Sequence, residues 1–230
     1  MYKNLEAIDK NIDKDVAIKN VKDYSFAKEQ KNAPITTSEF YEACKDYPIL
    51  FIKDINDQWM ATVMLGYKEN ENVFVDKEGK WSKHKYIPAH MRRYPFIFAT
   101  AKDSTTLTLG VEKDYKEKAK KDNARNLFDE KGNNSKYLDD ILGFLNHYHQ
   151  DSLETSSFIK QLEDWNLLEE KNANIVISKE EQYNINGFFI VNEEKLKHLS
   201  KKKKEEICNK NAYPLITAHL ISLSNIQRFS

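Results

Sequence analysis

Asn72 to Thr100 reads NVFVDKEGKWSKHKYIPAHMRRYPFIFAT, and aromatic, apolar, proline and paired-arginine positions are densest there. Val73, Phe74 and Val75 form a short β-prone run that ends in Asp76-Lys77-Glu78-Gly79. A glycine closely following an aspartate suits a type I turn or a bulged hairpin loop, so the chain is expected to reverse there. Tyr86-Ile87-Pro88 is expected to be extended, because the residue before a proline is pushed out of the helical region, and Tyr94-Pro95 repeats the device. Between the two prolines, Ala89 to Arg93 has room for about one helical turn. Phe96-Ile97-Phe98-Ala99 then reads as a strand buried on both faces. Arg92 and Arg93 leave the turn on different sides, so at most one can bury a bidentate contact with a carboxylate. One is expected to be mostly buried and bonded to carboxylates or backbone carbonyls, the other exposed and available to a partner.

Upstream, apolar Leu5, Ile8, Ile12, Val16 and Ile18 are interspersed with acids and lysines, a pattern open to strand, loop or helix. Thr36-Thr37-Ser38-Glu39 places a hydroxyl cap before an acid and starts a helix through about Lys45, with Phe40, Tyr41 and Cys44 as its apolar face. Tyr47-Pro48 stops it. Ile49 to Ile52 is an apolar strand suited to a central position, Asp54 to Gln58 a polar turn, and Trp59 to Tyr67 the next strand. Leu107 to Val111 alternates as another. Five or so strands joined mostly by short connections argue for an antiparallel meander, since parallel neighbours need long crossovers. The expected sheet is strongly bent or barrel-like.

Downstream, Lys113 to Asn126 is almost wholly charged and reads as a solvated helix or linker. Leu127-Phe128 docks and Asp129-Glu130-Lys131-Gly132 turns. Ser135 caps a helix whose positions Leu138, Ile141, Leu142, Leu145 and Tyr148 follow the helical period, continued by Leu153, Phe158, Leu162, Trp165 and Leu168. Ile175 to Ile177 and Phe188 to Val191 suggest a hairpin, Asn192 caps a short helix from Glu193 to His198, and Ser200 opens another through Lys201 to Lys204. Those four lysines read as a solvated face near Glu205 and Glu206. A last helix, Pro214 to Gln227, sets Ile216, His219, Leu220, Leu223 and Ile226 on one side. The whole predicts one α+β unit over residues 1–230: a bent antiparallel N-terminal sheet, a mostly helical C-terminal half folded on it, and a sub-boundary near residues 114–126.

With 36 basic residues against 36 acidic ones among 230, no general electrostatic drive toward nucleic acid exists. Hydrophobic residues make up 40% of the chain, enough for a substantial core, but no apolar run approaches the roughly 18 residues of a membrane span. The N-terminus lacks the apolar segment of a cleaved leader, so the chain is expected in the cytoplasm unless exported with its N-terminus uncut. Cys44 and Cys208 lie outside any metal-ligand spacing and read as two reduced, partly buried thiols. His147 and His149 sit about 200° apart on a helix and cannot converge on one ion. His84 and His90 have no recognised ligand spacing, and His219 reads as a hydrogen-bonded core histidine. No GxSxG, HExxH, P-loop or GxGxxG occurs, and six glycines are too few for a phosphate cradle. No catalytic residue, metal or cofactor is therefore assigned.

FVDKEGKW and YIPAHMRRYPFIFA, with the upstream FAKEQKNAPITTSEFYEACKDYPILF, LFDEKG and the terminal AHLISLSNIQRF, resemble in their order the SapC family of bacterial proteins, named for a gene associated with surface-layer (S-layer) production. The resemblance runs from about Tyr2 to Phe229 and carries no established catalytic residue. It implies a non-catalytic accessory protein of the cell surface whose partner is a surface-layer, secretion or envelope component. Trp59, Trp81, Tyr86, His90, Arg92, Arg93 and Tyr94 are the candidate binding residues, aromatic and arginine anchors being enriched at interfaces. The alternative from another class is an enzyme or enzyme subunit acting on a peptide or glycan, through a pocket built by the sheet and residues 84–93.

Overall fold

The computed structural model describes residues 1–100, 106–118, 124–176, 178–179 and 181–229. Along them run β1 (Leu5–Ala7), β2 (Val16–Lys19), β3 (Asn32–Ile35), α1 (Phe40–Ala43), β4 (Ile49–Lys53), β5 (Trp59–Met64), α2 (Ala89–Arg92), β6 (Phe96–Thr100), β7 (Leu107–Glu112), β8 (Lys116–Lys118) and β9 (Ala124–Asn126). The remainder holds α3 (Lys136–Asp164), the strands β10 (Leu168–Val176) and β11 (Gln182–Val191), and the helices α4 (Glu193–Lys197), α5 (Lys201–Asn209) and α6 (Tyr213–Ser222). None of the described helices is long and apolar enough to cross a membrane.

The architecture is α+β; among the described residues every strand pairs antiparallel, but the strands divide among three sheets and no barrel closes. The five-stranded sheet has the order β10-β11-β4-β5-β3, so β4 is central, as its apolar run predicts. β6 and β7 leave that sheet to form another with β1, and β2 is flanked by β8 and β9 in a third. A barrel needs the first and last meander strands to meet. Here β11 takes the free side of β4 instead, with Phe189 opposite Phe51, and β1 takes the free side of β7.

Three further expectations give way to tertiary pairing. Val73 to Val75 is not a strand: the side chain of Asn72 accepts from the Phe74 N–H at 2.9 Å and donates to the Ala27 carbonyl at 3.1 Å, which bends the backbone locally and leaves one bridge, Val75 to Trp81, across the Asp76–Gly79 reversal. Gly79 makes that reversal at φ +82, where a side chain is strained. β6 is an edge strand, so only Phe96 is buried, while Ile97 and Phe98 are half-buried and Ala99 exposed. The charged run after residue 112 supplies β8 and β9, both drawn onto β2, whose Ala17 and Ile18 are fully buried; residues 119–123 lie outside the described residues.

Locally encoded elements follow the sequence more closely. The side chain of Thr36 and that of Glu39 form a reciprocal capping box before a short 3-10 turn and α1, although Phe40 and Ala43, not Tyr41, form the buried face. Ser135 caps α3, accepting from the Leu138 N–H. The 29-residue helix crosses both main cores: its first half packs Leu138 and Leu145 with Ile18, Phe96, Val111 and Leu127, and its second half packs Phe158, Ile159 and Leu162 with Phe40, Tyr47 and Phe51. α6 lies on β4, where the His219 ring stacks on Phe51 at 4.5 Å and its Nε2 accepts from the Val191 N–H at 3.0 Å. Cys44 is half-buried and Cys208 is exposed rather than partly buried, since α5 buries only Ile207.

Candidate functional site: a groove along the long helix

The buried carboxylate of Glu39 organises the wall of the site. Its Oε2 accepts from the Thr36 N–H at 2.9 Å and the Thr36 hydroxyl at 3.1 Å, while its Oε1 accepts from the Ala89 N–H at 2.7 Å and the Tyr86 hydroxyl at 2.9 Å. One side chain thereby ties the end of β3 to the start of α2. The approach to α2 is held as firmly: Asp46 accepts from the Tyr86 N–H and from Lys85, the Tyr47 hydroxyl donates to the Tyr86 carbonyl, and the Trp81 indole donates to the Tyr47 oxygen at 3.1 Å. Burial, followed by the Glu39 charge, pushes the Tyr86 hydroxyl up to about 12.

So positioned, α2 aims His90 and Arg93 at α3. They line a cleft of about 310 Å³ with Tyr148 of α3. Its apolar floor comes from Pro34 and Ile35 of β3 and from Trp59, Met60 and Ala61 of β5. The far wall is a row of α3 hydroxyls, and each is satisfied locally: Ser152 donates to the Tyr148 carbonyl, Thr155 to the Asp151 carbonyl, and Ser156 to the Trp59 carbonyl at 2.7 Å. Two smaller hollows extend the cleft into a groove. One, of about 180 Å³, shares Arg93, Tyr148 and Ser152 and adds the apolar Phe98 and Leu145 and the imidazole of His149. The other, of about 410 Å³, shares Gln58, Trp59 and Ser156 and carries Lys53, Lys160 and Glu163.

Arg93 is the electrostatic feature of this groove. Its guanidinium lies 5.0 Å from the centre of the Tyr148 ring and 6.0 Å from that of Tyr2, its Nε is buried without a hydrogen-bond partner, and it joins no ion pair among the described residues. Burial pushes the Tyr148 and Tyr2 hydroxyls up to about 12, against the pull of that same charge, so both tyrosines stay neutral. His90, whose Nδ1 lies 3.4 Å from the Tyr148 oxygen, is held down to about 3 by burial and then by Arg93. It is therefore a neutral imidazole at any ordinary pH. The arrangement offers a fixed cation at Arg93, neutral hydrogen-bonding groups and an apolar floor, with the Asp54 carboxylate also in the lining.

The sequence-selected residues do not gather in one place. Trp59, His90 and Arg93 meet in the groove. Arg92 and Tyr94 border a separate hollow of about 230 Å³ with Tyr24 and Phe26, where Tyr94 stacks on Phe26 at 3.9 Å. Trp81 is buried in the core and Tyr86 braces Glu39. Among the described residues neither arginine meets a carboxylate: the exposed Arg92 donates to the Ile87 carbonyl at 3.1 Å and the Tyr86 hydroxyl at 3.2 Å, and the more buried Arg93 rests on aromatic rings. His147 and His149 are exposed on α3, and no three of His, Cys, Asp and Glu come together as metal ligands among the described residues.

Tyr2, Tyr148 and the hydroxyls of Ser152, Thr155 and Ser156 were not legible as site residues. The hydroxyls recur three and four positions apart on one helix face, a pattern that marks a polar groove wall only once the helix has a neighbour. A family model described as SapC matches residues 8–229 of the chain. No curated protein and no solved structure matches it.

Proposed function

The chain belongs to the SapC family, and from that premise we propose that it is a non-catalytic accessory protein of the bacterial cell-surface (S-layer) system, which binds a surface-layer, secretion or envelope component through the groove along α3. The observation that carries the binding half of this reading is Arg93, in no ion pair among the described residues, over an apolar floor. Such a mixture of apolar lining with few placed polar groups is what recognition sites use. Both tyrosines and His90 are held in their neutral forms, so the groove is equipped to hold a ligand rather than to move its protons.

Gln58 is exposed and lines two of the three hollows, so Gln58→Trp fills the groove without disturbing the core. In capture from native lysate, the wild type is expected to retain a surface-layer, secretion or envelope protein that Gln58→Trp loses. Recovery of no such component, or equal recovery by both, counts against the reading. An enzyme acting on a peptide or glycan would use the same cleft, and the convergence of His90 and Tyr148 is the observation in its favour. Turnover of peptides or cell-wall fragments that disappears in His90→Asn would establish that alternative instead.

A further inference from the structure

We propose that the Arg93 end of the groove is a carboxylate site, and that it receives the free C-terminus of a peptide ending in an apolar residue. This rests on the reading of the groove as a recognition surface and names the chemistry of what it recognises. Buried arginines are ordinarily paired, because a desolvated charge without a counter-ion is costly. Arg93 is half-buried with its Nε enclosed, lies against two tyrosine rings and meets the Tyr2 hydroxyl, joins no ion pair among the described residues, and lines two adjoining hollows. A planar carboxylate is the group that the guanidinium fork matches.

The surroundings select a monoanion. His90 is neutral and adds no positive charge of its own, while the Glu39 carboxylate acts on Tyr148 and the Asp54 carboxylate lines the same cleft, so a dianion such as a phosphate ester meets like charges beside Arg93. The shape selects a chain end. On one side of Arg93 is the hollow of about 180 Å³, sized for a single side chain, where Phe98 and Leu145 offer apolar contact beside the polar groups of Tyr148, His149 and Ser152. On the other side the cleft continues past Trp59 toward Lys53 and Glu163, giving the preceding residues a path out. Glycans, which carry neither an apolar terminal side chain nor an obligatory carboxylate, match this arrangement less well.

Calorimetric titration of the full chain with N-acetyl-Ala-Ala-Leu as the free acid, and with the same tripeptide as its C-terminal amide, tests the assignment. The acid is expected to bind at least about ten-fold more tightly, the usual scale of a charge-assisted pair. Arg93→Gln should abolish the preference and Arg92→Gln should keep it. Because Arg93→Gln could also weaken the fold, the acid-to-amide comparison on the wild type stands on its own. Equal affinity for the two, absence of binding by the acid, or its displacement by millimolar inorganic phosphate would each overturn the carboxylate site. Loss of the cell-surface component from Gln58→Trp would still report on the groove in those cases, so the two readings fail separately.

Discussion

At the scale of single residues, Glu39 shows how one buried charge can organise a wall. It accepts four hydrogen bonds, two of them from the Thr36 and Ala89 backbone N–H groups. Glu39→Ala would strand those donors away from water, which costs about 3–5 kcal/mol in stability, while Glu39→Gln, which keeps one acceptor oxygen but sets an NH2 against the other backbone N–H, should cost less. Urea midpoints of the two variants check this; equal, small shifts would mean that Glu39 does not brace α2. The two enclosed histidines set a pH response. Both have folded values near 3 against an ordinary 6.5, so the unfolded chain binds more protons between those limits. Their contribution is complete above about pH 6.5 and is lost as the pH falls, by up to about 1.4 kcal/mol per pH unit for each histidine. His219→Gln retains an acceptor for the Val191 N–H and should flatten the slope of stability between pH 6.5 and pH 4.5 by roughly one proton. An unchanged slope would show that His219 does not govern it. His219 is also the residue that the sequence placed correctly, since its position on an apolar helix face leaves a core histidine few alternatives. Arg93 was placed only in part: two successive arginines must diverge on a helical turn, but that the inner one meets tyrosines rather than a carboxylate depends on residues 2 and 148.

At the scale of elements, α3 carries the groove wall and joins the two cores. Its cap and period can be read from neighbours within one turn: Ser135 bonds the Leu138 N–H, and the apolar positions recur at helical spacing. Gly143 sits in its middle with open space where a Cβ would lie. Gly143→Ala is expected to stabilise the protein by about 0.5–1 kcal/mol, since it restricts the unfolded chain and removes the helix penalty of glycine. Thermal melts compare the two; a lower midpoint would show that the space is not free. The cap of α4 by Asn192 and the reversal at Gly79 were equally readable, because each is set by residues close in sequence, whereas the hairpin was read only in part: residue 177 lies outside the described residues, β11 begins already at Gln182, and Leu168, expected on the helix, starts β10. β3 was missed, since Asn32-Ala-Pro-Ile has no alternation of its own and becomes a strand only by pairing with β5.

At the scale of the whole molecule, long-range pairing binds the N-terminal residues to the middle of the chain. β1 lies against β7, β2 lies between β8 and β9, and Lys116 reaches the Asp13 carboxylate at 2.8 Å. We propose on this basis that residues 114–126 are no domain boundary and that the chain unfolds as one unit. Far-UV circular dichroism and tryptophan fluorescence should then give superimposable urea transitions; two separated transitions would divide the chain near that segment. What the amino-acid order determined by itself was the α+β class, the caps and turns, the long helix and the family resemblance, all carried by contacts within a few residues or by ordered motifs. The distribution of strands among three sheets, and the groove built from residues 34–35, 58–61, 90–93 and 148–156, depended on tertiary structure. The reason is physical: a cap or a period is an interaction between near neighbours and leaves a local pattern. The pairing of Ile18 with Lys116, or of Arg93 with Tyr148, is an interaction between distant residues whose letters carry no mark of each other until the chain has folded.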